Sequence, residues 1–575
     1  MHDASAPMAE QRDKPWLAAY APGVPAEIDL PDEPLHAALA AAAQRYPSRI
    51  AIRFFGRSIT YRELDAMANR FANALIALGV NQGDRIALLM PNCPQMVIAY
   101  YGGLRAGGVM VPTSPLYVES ELEHQLVDAE VRVVVCLSAL FARVQAVRGR
   151  VPTLQHVVVT NIKDFFPTRL RLLFTISKER KDGHRVSLPA DGQTHRMNRL
   201  LSRARTTDPH VAVAAQDLAL LQYTGGTTGV AKGAMLTHRN LVANALQVRA
   251  WMGNLASPDG QDIVMGVLPL FHIYAMTIVM NLTIRVGGTM VLQPRFVLED
   301  LLKGIDRERP HFLPGVPTIY TAINHASNLS RYNLRSLKGA ISGAAPLPRE
   351  VQVQFEALTG AQLVEGYGLT EASPVTHCMP LSGERRSGSI GLPVPSTEAA
   401  IFDQETGAVR LGPGEVGELA IRGPQVMQGY WKRPEETAKV LRDGWLLTGD
   451  VACMDGDGYF SVVDRKKDMI ITGGMNVYPR DVEEPLYQNP KIKEAVAVGL
   501  PDERWGEAVK VYIVLRDGQT ATEQEIIDYC QARMARYKVP KYVEFRSELP
   551  KSMVGKVLRR QLIAEEHART ISRAS

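Results

Sequence analysis

The stretch Thr60–Pro91, TYRELDAMANRFANALIALGVNQGDRIALLMP, decides the fold class. Thr60 and Glu63 have the spacing of a capping box, in which two side chains three residues apart satisfy each other's backbone amides. Leu64, Met67, Ala68, Phe71 and Leu75 then recur at helical spacing, and Gly79 supplies a stop. Arg85–Met90 is a short apolar run closed by Pro91, the pattern of a buried strand. Val131–Cys136 and Leu218–Tyr223 repeat it. Buried strands alternating with amphipathic helices predict an α/β fold with mostly parallel sheets covered on both faces.

Composition narrows the class further. The chain has 575 residues, 46% hydrophobic, 22% charged and 7% aromatic, which excludes a fibre, a stalk or a disordered chain. The formal charge is only +5, and residues 531–575 carry eleven Lys or Arg against four Glu, so the basic character is local and no nucleic-acid partner is expected. No apolar run reaches the roughly 18 residues that span a bilayer. MHDASAPMAEQRDKPW lacks the apolar core of a signal peptide. Five scattered cysteines, none in CxxC spacing, suit a reducing cytoplasm. Residues 1–30 read as a loosely held lead-in.

The most informative local pattern is Tyr223-Thr224-Gly225-Gly226-Thr227-Thr228-Gly229-Val230-Ala231-Lys232-Gly233, directly after the apolar run Leu218–Leu221. Its glycines let backbone amides close around an anion in a phosphate-sized nest. Its threonine hydroxyls add donors, and Lys232 adds charge. The P-loop pattern GxxxxGK[ST] is the nearest alternative and fails at two positions. Counted from Gly226, Ala231 stands where the second glycine belongs, and Gly233 follows Lys232.

This loop resembles a motif of the adenylate-forming superfamily, which contains acyl-CoA synthetases, luciferases and the adenylation domains of peptide synthetases. So do Glu365-Gly366-Tyr367-Gly368-Leu369-Thr370-Glu371, Thr448-Gly449-Asp450, Asp464-Arg465-Lys466-Lys467-Asp468 and Pro550-Lys551-Ser552-Met553-Val554-Gly555-Lys556. The resemblance spans roughly residues 30–565, and within the superfamily the chain is most similar to bacterial long-chain fatty-acid–CoA ligases. The resemblance implies a two-step reaction. A fatty-acid carboxylate attacks the α-phosphate of ATP, giving acyl-AMP and pyrophosphate, and coenzyme A then displaces AMP. ATP, Mg²⁺, coenzyme A and a fatty acid are the implied ligands. A medium-chain or aryl-acid CoA ligase, or an acyl-AMP ligase that delivers to a carrier protein, is the alternative.

The resemblance also assigns roles. Thr224, Gly225, Gly226, Thr227, Thr228, Gly229 and Lys232 hold the β- and γ-phosphates. Glu371 binds Mg²⁺, a hard cation suited to carboxylate and phosphate oxygens, and Thr370 touches the α-phosphate. Asp450 and Arg465 face the ribose. Gly366, Tyr367 and Gly368 take one side of adenine, with Gly343, Ala344 and Ala345 opposite. Lys556 bridges the attacking carboxylate and the α-phosphate. Alone it is one of eleven cations in a basic tail, and only the match around it singles it out. The implied organisation is a lead-in (1–30), a large N-terminal domain (31–465) and a small mobile α+β domain (466–575). The hinge falls at about 464–468, with Lys467 at the pivot and Pro479 at the first position of the next helix. Rotation of the small domain would replace Lys556 with Gly473 and Gly474, which leave room for the pantetheine arm. A homodimer is a further family expectation.

The acid is read from Leu268–Ala275. The resemblance places His272 at the mouth of the acid pocket, with Met276 and Ile278 continuing an apolar wall. Between Ile263 and Leu298 there is no Asp or Glu. A buried substrate ammonium would lack a partner there, which argues against an amino acid. An apolar tail fits, each buried CH₂ contributing about 0.8 kcal/mol. Residues 163–181 mix Phe165, Phe166, Leu170, Leu172, Leu173, Phe174 and Ile176 with lysines and arginines. They form either a peripheral contact with the inner face of the plasma membrane or a helix packed inward.

Overall fold

Thr60 caps the helix Tyr61–Ala77 as its spacing predicts. Its hydroxyl accepts from the Glu63 amide at 3.3 Å, and Glu63 Oε2 accepts from the Thr60 amide at 2.8 Å. Leu64, Ala68, Phe71 and Leu75 are buried along one face, against the helix Pro94–Arg105. The computed structural model describes residues 14–224, 231–466, 468–472, 475–502, 505–551 and 557–574.

The strand Arg85–Leu89 lies parallel between Val109–Thr113 and Val131–Leu137. These belong to a sheet of eight strands among the described residues, which also contains the antiparallel pair Leu218–Thr224 and Lys232–Thr237. A second sheet has nine described strands. Its centre is parallel: Thr289–Leu292, Ile263–Gly266, Phe312–Gly315, Gly339–Ser342 and Gln362–Gly368. One continuous apolar core runs through both. Near-unbroken apolar strands covered by helices on both faces are what a parallel sheet requires. A third, antiparallel sheet holds Glu398–Phe402, Val416–Arg422, Trp445–Met454 and Phe460–Arg465. Beyond it Ile470–Thr472, Met475–Val477, Ile492–Asp502, Gly506–Leu515 and Tyr542–Phe545 form a separate small sheet with its own core. Pro479 opens the helix Pro479–Tyr487.

One expectation is corrected. Residues 14–30 are not loosely held. The turn Pro15–Ala19 buries Trp16, whose ring meets Phe460 edge-on at 6.1 Å. Tyr20 donates to the Pro393 carbonyl at 2.6 Å, and Ser396 Oγ accepts from the Ile28 amide at 2.9 Å. One large aromatic ring supplies enough buried surface to pin a short segment.

Residues 163–181 divide between their two readings. Phe165 and Phe166 are buried, Phe166 stacking on Phe54 at 5.8 Å. The helix Thr168–Ser177 has no buried residue, and Leu172, Leu173 and Ile176 are 62%, 63% and 77% exposed. Lys163 pairs with Glu179 at 2.6 Å, and Ser138 Oγ meets His184 Nδ1 at 2.8 Å, so the segment is anchored at both ends. Among the described residues no helix is long and apolar enough to cross a membrane.

Candidate active site

Parallel strands deliver their loops to one edge of the sheet, and ligands of such folds bind at the carboxyl ends of the strands. Here the carboxyl ends of Gly339–Ser342 and Gln362–Gly368 carry the segments Gly343–Ala345 and Leu369–Glu371. The strand Leu218–Thr224 brings Thr224 to the start of the glycine loop. Gly225, Gly226, Thr227, Thr228 and Gly229 lie outside the described residues, as do Lys467, Gly473, Gly474 and Lys556.

Lys232 faces Thr224 across the antiparallel pair. It forms an ion pair with Glu436 and stands 5.2 Å from the centre of the Tyr430 ring. Tyr430 in turn donates to Glu371 Oε1 at 2.8 Å. Burial first, and the Glu371 carboxylate second, push the Tyr430 phenol far above its ordinary value, so it stays a donor. Glu371 sits on the short turn Thr370–Ala372, whose carbonyl at Glu371 accepts from the Met427 amide at 2.8 Å. A cleft of about 290 Å³ opens here, lined by Glu371, Tyr430, Thr448, Arg465 and Lys466.

Asp450 and Arg465 are register partners on neighbouring strands, and Arg465 Nε lies 2.9 Å from Asp450 Oδ1. Tyr367 donates to the other oxygen, Oδ2, at 2.5 Å. Burial opposes the Arg465 charge, but Asp450 and its acidic neighbours outweigh it and hold the guanidinium firmly protonated. Asp450, Arg465 and Tyr367 are thus joined in one hydrogen-bonded group. An aromatic chain supports it from behind. Tyr367 meets His377 at 5.8 Å, His377 meets Phe460 at 4.8 Å, and Phe460 meets Trp16. Gly368 is required sterically, because a Cβ there would fall 2.1 Å from the Pro374 carbonyl oxygen.

Ala344 adopts φ 68°, in the left-handed region that residues with a Cβ seldom occupy. Strain of this kind concentrates at ligand-binding segments. Tyr274 holds the strand beneath it, donating to the Ile341 carbonyl at 2.7 Å. Glu365 lies one residue before Gly366 and accepts from the Leu347 amide at 3.1 Å. Burial raises its carboxyl to about 7, against the opposing pull of that amide and of Arg480.

His272 caps the helical run Ile273–Val286, its Nδ1 accepting from the Tyr274 amide at 3.3 Å. Burial lowers its pKa to about 4, so the ring is neutral and its proton lies on Nε2. The middle of the run, Met276–Asn281, is a π-helix, a distortion common at functional sites. Behind it lies an apolar cavity lined by Trp251, Met252, Ile278, Leu282, Phe312 and Ile341 among others. Its free volume is about 60 Å³. Met276 is fully buried and is not among the residues that line this cavity, whereas Ile278 and Leu282, four residues apart on one face, both line it.

Sequence reasoning missed Tyr430 and Asp128, and gave no role of their own to Tyr274 and Glu365. Asp128 Oδ2 accepts from Tyr223 at 2.6 Å and so steadies the strand that leads into the glycine loop. None of the four has a spacing that ties it to its partner along the chain.

The chain belongs to the AMP-binding enzymes. The AMP-binding enzyme model matches residues 39–431, and the model of the AMP-binding enzyme C-terminal domain matches 481–556. Over almost its full length the chain is similar to the long-chain-fatty-acid–CoA ligase of Bacillus subtilis (46% identity, 97% of this chain and 99% of that one). The Salmonella typhimurium protein of the same name is 42% identical, covering 98% and 100%. The crystal structure of ATP-bound MatB from Rhodopseudomonas palustris superposes with a TM-score of 0.80 at 30% identity, covering 93% of this chain and 99% of that one. The expected α/β class, with a large parallel-sheet region and a smaller C-terminal unit, is the observed one.

Proposed function

We propose that this chain is a long-chain fatty-acid–CoA ligase. It converts a fatty acid and ATP to acyl-AMP and pyrophosphate, then transfers the acyl group to coenzyme A with release of AMP. The observation that carries the choice of acid is the apolar cavity behind a neutral His272, in a stretch free of acidic residues from Ile263 to Leu298. The same-sized relatives named as such ligases support it.

In the first step an anion attacks a polyanion, so the protein must align the reactants and neutralise charge. Asp450 would accept from the ribose hydroxyls while Arg465 and Tyr367 fix its two oxygens. Lys232 would exchange Glu436 for phosphate oxygens. The His272 Nε2–H would donate to the acid's carboxylate. Glu371 has one oxygen held by Tyr430, and among the described residues the other makes no hydrogen bond. That fits Mg²⁺, which takes one or two carboxylates and fills its remaining positions with phosphate and water oxygens. The ion would supply charge neutralisation at the phosphates. Lys556 would bridge carboxylate and α-phosphate, delivered by a small domain (466–575) that pivots near 464–468 on the large one (31–465). Contacts among the described residues that span that boundary include polar ones: Asp464 Oδ2 accepts from the Arg480 amide at 2.8 Å, Arg480 donates to the Val462 carbonyl at 2.6 Å, and Lys466 pairs with Glu418 at 2.9 Å. Contact with an anionic membrane surface through Leu172, Leu173 and Ile176 suits an enzyme whose substrate is an oily acid.

The test is pyrophosphate release from Mg²⁺–ATP across a panel of acids, with and without coenzyme A. Palmitate and oleate should give signal; aryl acids alone giving signal would replace the proposed substrate. Lys556→Ala should cripple adenylation yet leave thioester formation from supplied acyl-AMP largely intact. Equal loss of both half-reactions would refute the swivelling arrangement.

A further inference from the structure

The strand Trp445–Met454 breaks step with its neighbour just where Asp450 stands. On Val416–Arg422, Glu418 pairs with Val451 and Ala420 with Leu447, so Thr448, Gly449 and Asp450 together face Leu419. A bulge of this kind re-aims side chains and takes backbone groups out of the ladder, and bulges gather beside active sites. Gly449 turns here with φ 72°. Side chains replace the lost ladder bonds. The Thr448 hydroxyl donates to the Leu419 carbonyl at 2.8 Å and accepts from the Asp450 amide at 3.1 Å. Glu418 Oε1 accepts from the Gly449 amide at 3.0 Å.

The other oxygen of that carboxylate reaches the exit of the next strand. Glu418 Oε2 lies 2.9 Å from Lys466 Nζ, and the same ammonium donates to the Gln404 carbonyl at 2.8 Å. Lys466 directly follows the strand Phe460–Arg465, and its amide donates to the Gly449 carbonyl at 3.0 Å. Gly449 is therefore held at both backbone groups, its amide by Glu418 and its carbonyl by Lys466, and an ion pair joins the two holds. The pair is lopsided: the Glu418 side chain is 8% exposed and that of Lys466 40%. Loss of the ammonium leaves a buried carboxylate uncompensated, which costs far more than loss of a pair on the open surface.

We propose that Glu418 and Lys466 are positioning residues, whose ion pair closes the bulge that aims Asp450 and fastens the base of the hinge to the same turn. This rests on Asp450 being the ribose acceptor and on the pivot near 464–468. Asp450 adjoins Gly449, and its two oxygens meet Arg465 at 2.9 Å and Tyr367 at 2.5 Å. A slack Gly449 shifts the backbone under that carboxylate, so the grip on the nucleotide loosens although Asp450, Arg465 and Tyr367 are all kept. Lys466 also lines the cleft beside Glu371. A direct hold of Lys466 on a phosphate is the competing explanation, and a double-mutant cycle separates the two.

ATP–pyrophosphate exchange is measured on the full chain with palmitate and Mg²⁺. Glu418→Gln keeps an acceptor for the Gly449 amide but cannot hold the ammonium, and Lys466→Met removes the ammonium alone. Each should raise KM for ATP about three- to tenfold while kcat changes about twofold or less. The double variant Glu418→Gln/Lys466→Met should be no worse than the worse single one, because both break the same pair. Lys466→Arg, which keeps the charge, should stay within about twofold of wild type. Additive losses overturn the proposal in favour of a direct phosphate contact. Wild-type KM in the single variants, with only the thermal midpoint lowered, overturns it in favour of a purely structural pair. Glu418→Gln retains every tryptic site, and trypsin should cut it within 465–467 about fivefold faster, well below both thermal midpoints. Unchanged cutting there overturns the link to the hinge. Each of these failures leaves the ligase reading standing, whereas no exchange in wild type with any fatty acid removes that reading and the proposal with it.

Discussion

Replacing Glu365 by glutamine should stabilise the protein at alkaline pH and leave it unchanged in acid. The half-buried carboxyl lies on the strand that leads into Gly366–Glu371, and its folded pKa is raised from 4.5 to about 7. Full ionisation in that setting costs about 3 kcal/mol, at roughly 1.36 kcal/mol for each pH unit between the unfolded and folded values. The sign follows from the direction. A carboxyl whose folded pKa is raised contributes its full stability below about pH 4.5 and loses it as pH climbs through 7. Glutamine keeps an acceptor oxygen for the Leu347 amide, 3.1 Å away in the native side chain, and never ionises. The stability difference should therefore be near zero at pH 4 and grow to about 3 kcal/mol by pH 8, an upper value because solvent can reach the site as the chain breathes. Urea unfolding followed by tryptophan fluorescence, repeated from pH 4 to 8, measures it. An advantage of the same size at every pH, or a variant less stable than wild type at pH 8, would refute a half-buried, reluctantly ionised carboxyl.

Other substitutions probe the rest of the site. Asp450→Asn strips the charge from the group that holds Arg465 and Tyr367; ATP–pyrophosphate exchange should show a raised KM for ATP and a loss of about tenfold or more, about 1.4 kcal/mol. Gly368→Ala forces a methyl to within 2.1 Å of the Pro374 oxygen, so the backbone must shift, at a cost of about 1–3 kcal/mol in thermal denaturation, with ATP-dependent activity falling alongside. Leu172→Ser/Leu173→Ser/Ile176→Ser should abolish sedimentation with phosphatidylglycerol vesicles while activity on acid in free solution is kept; unchanged sedimentation would remove the membrane surface assigned to this helix. Phe165 and Phe166 are unsuitable for that test, because they are buried and their loss would report on folding.

Features legible in the sequence were those written over short distances. The capping box at Thr60–Glu63 and the apolar run at Arg85 need only neighbours along the chain, and both formed as their patterns require. Asp450 and Arg465 were legible as motifs, but their pairing is a product of sheet register. The contacts of Tyr430 with Glu371 and of Tyr223 with Asp128 join residues 59 and 95 apart, so no periodicity could announce them. Residues 163–181 were ambiguous for a physical reason: the same mixture of rings and cations serves Phe166 in the core and Ile176 in solvent. Lys556 stands among many similar cations, and only a family pattern distinguishes it.

The chain of rings from Trp16 through Phe460 and His377 to Tyr367 has a practical consequence. It makes the turn Pro15–Ala19 a remote brace for the Asp450 carboxylate. Trimming that turn would then loosen the Asp450 group out of proportion to the few residues removed, and the indole of Trp16 would serve as a built-in optical gauge of what happens at Asp450.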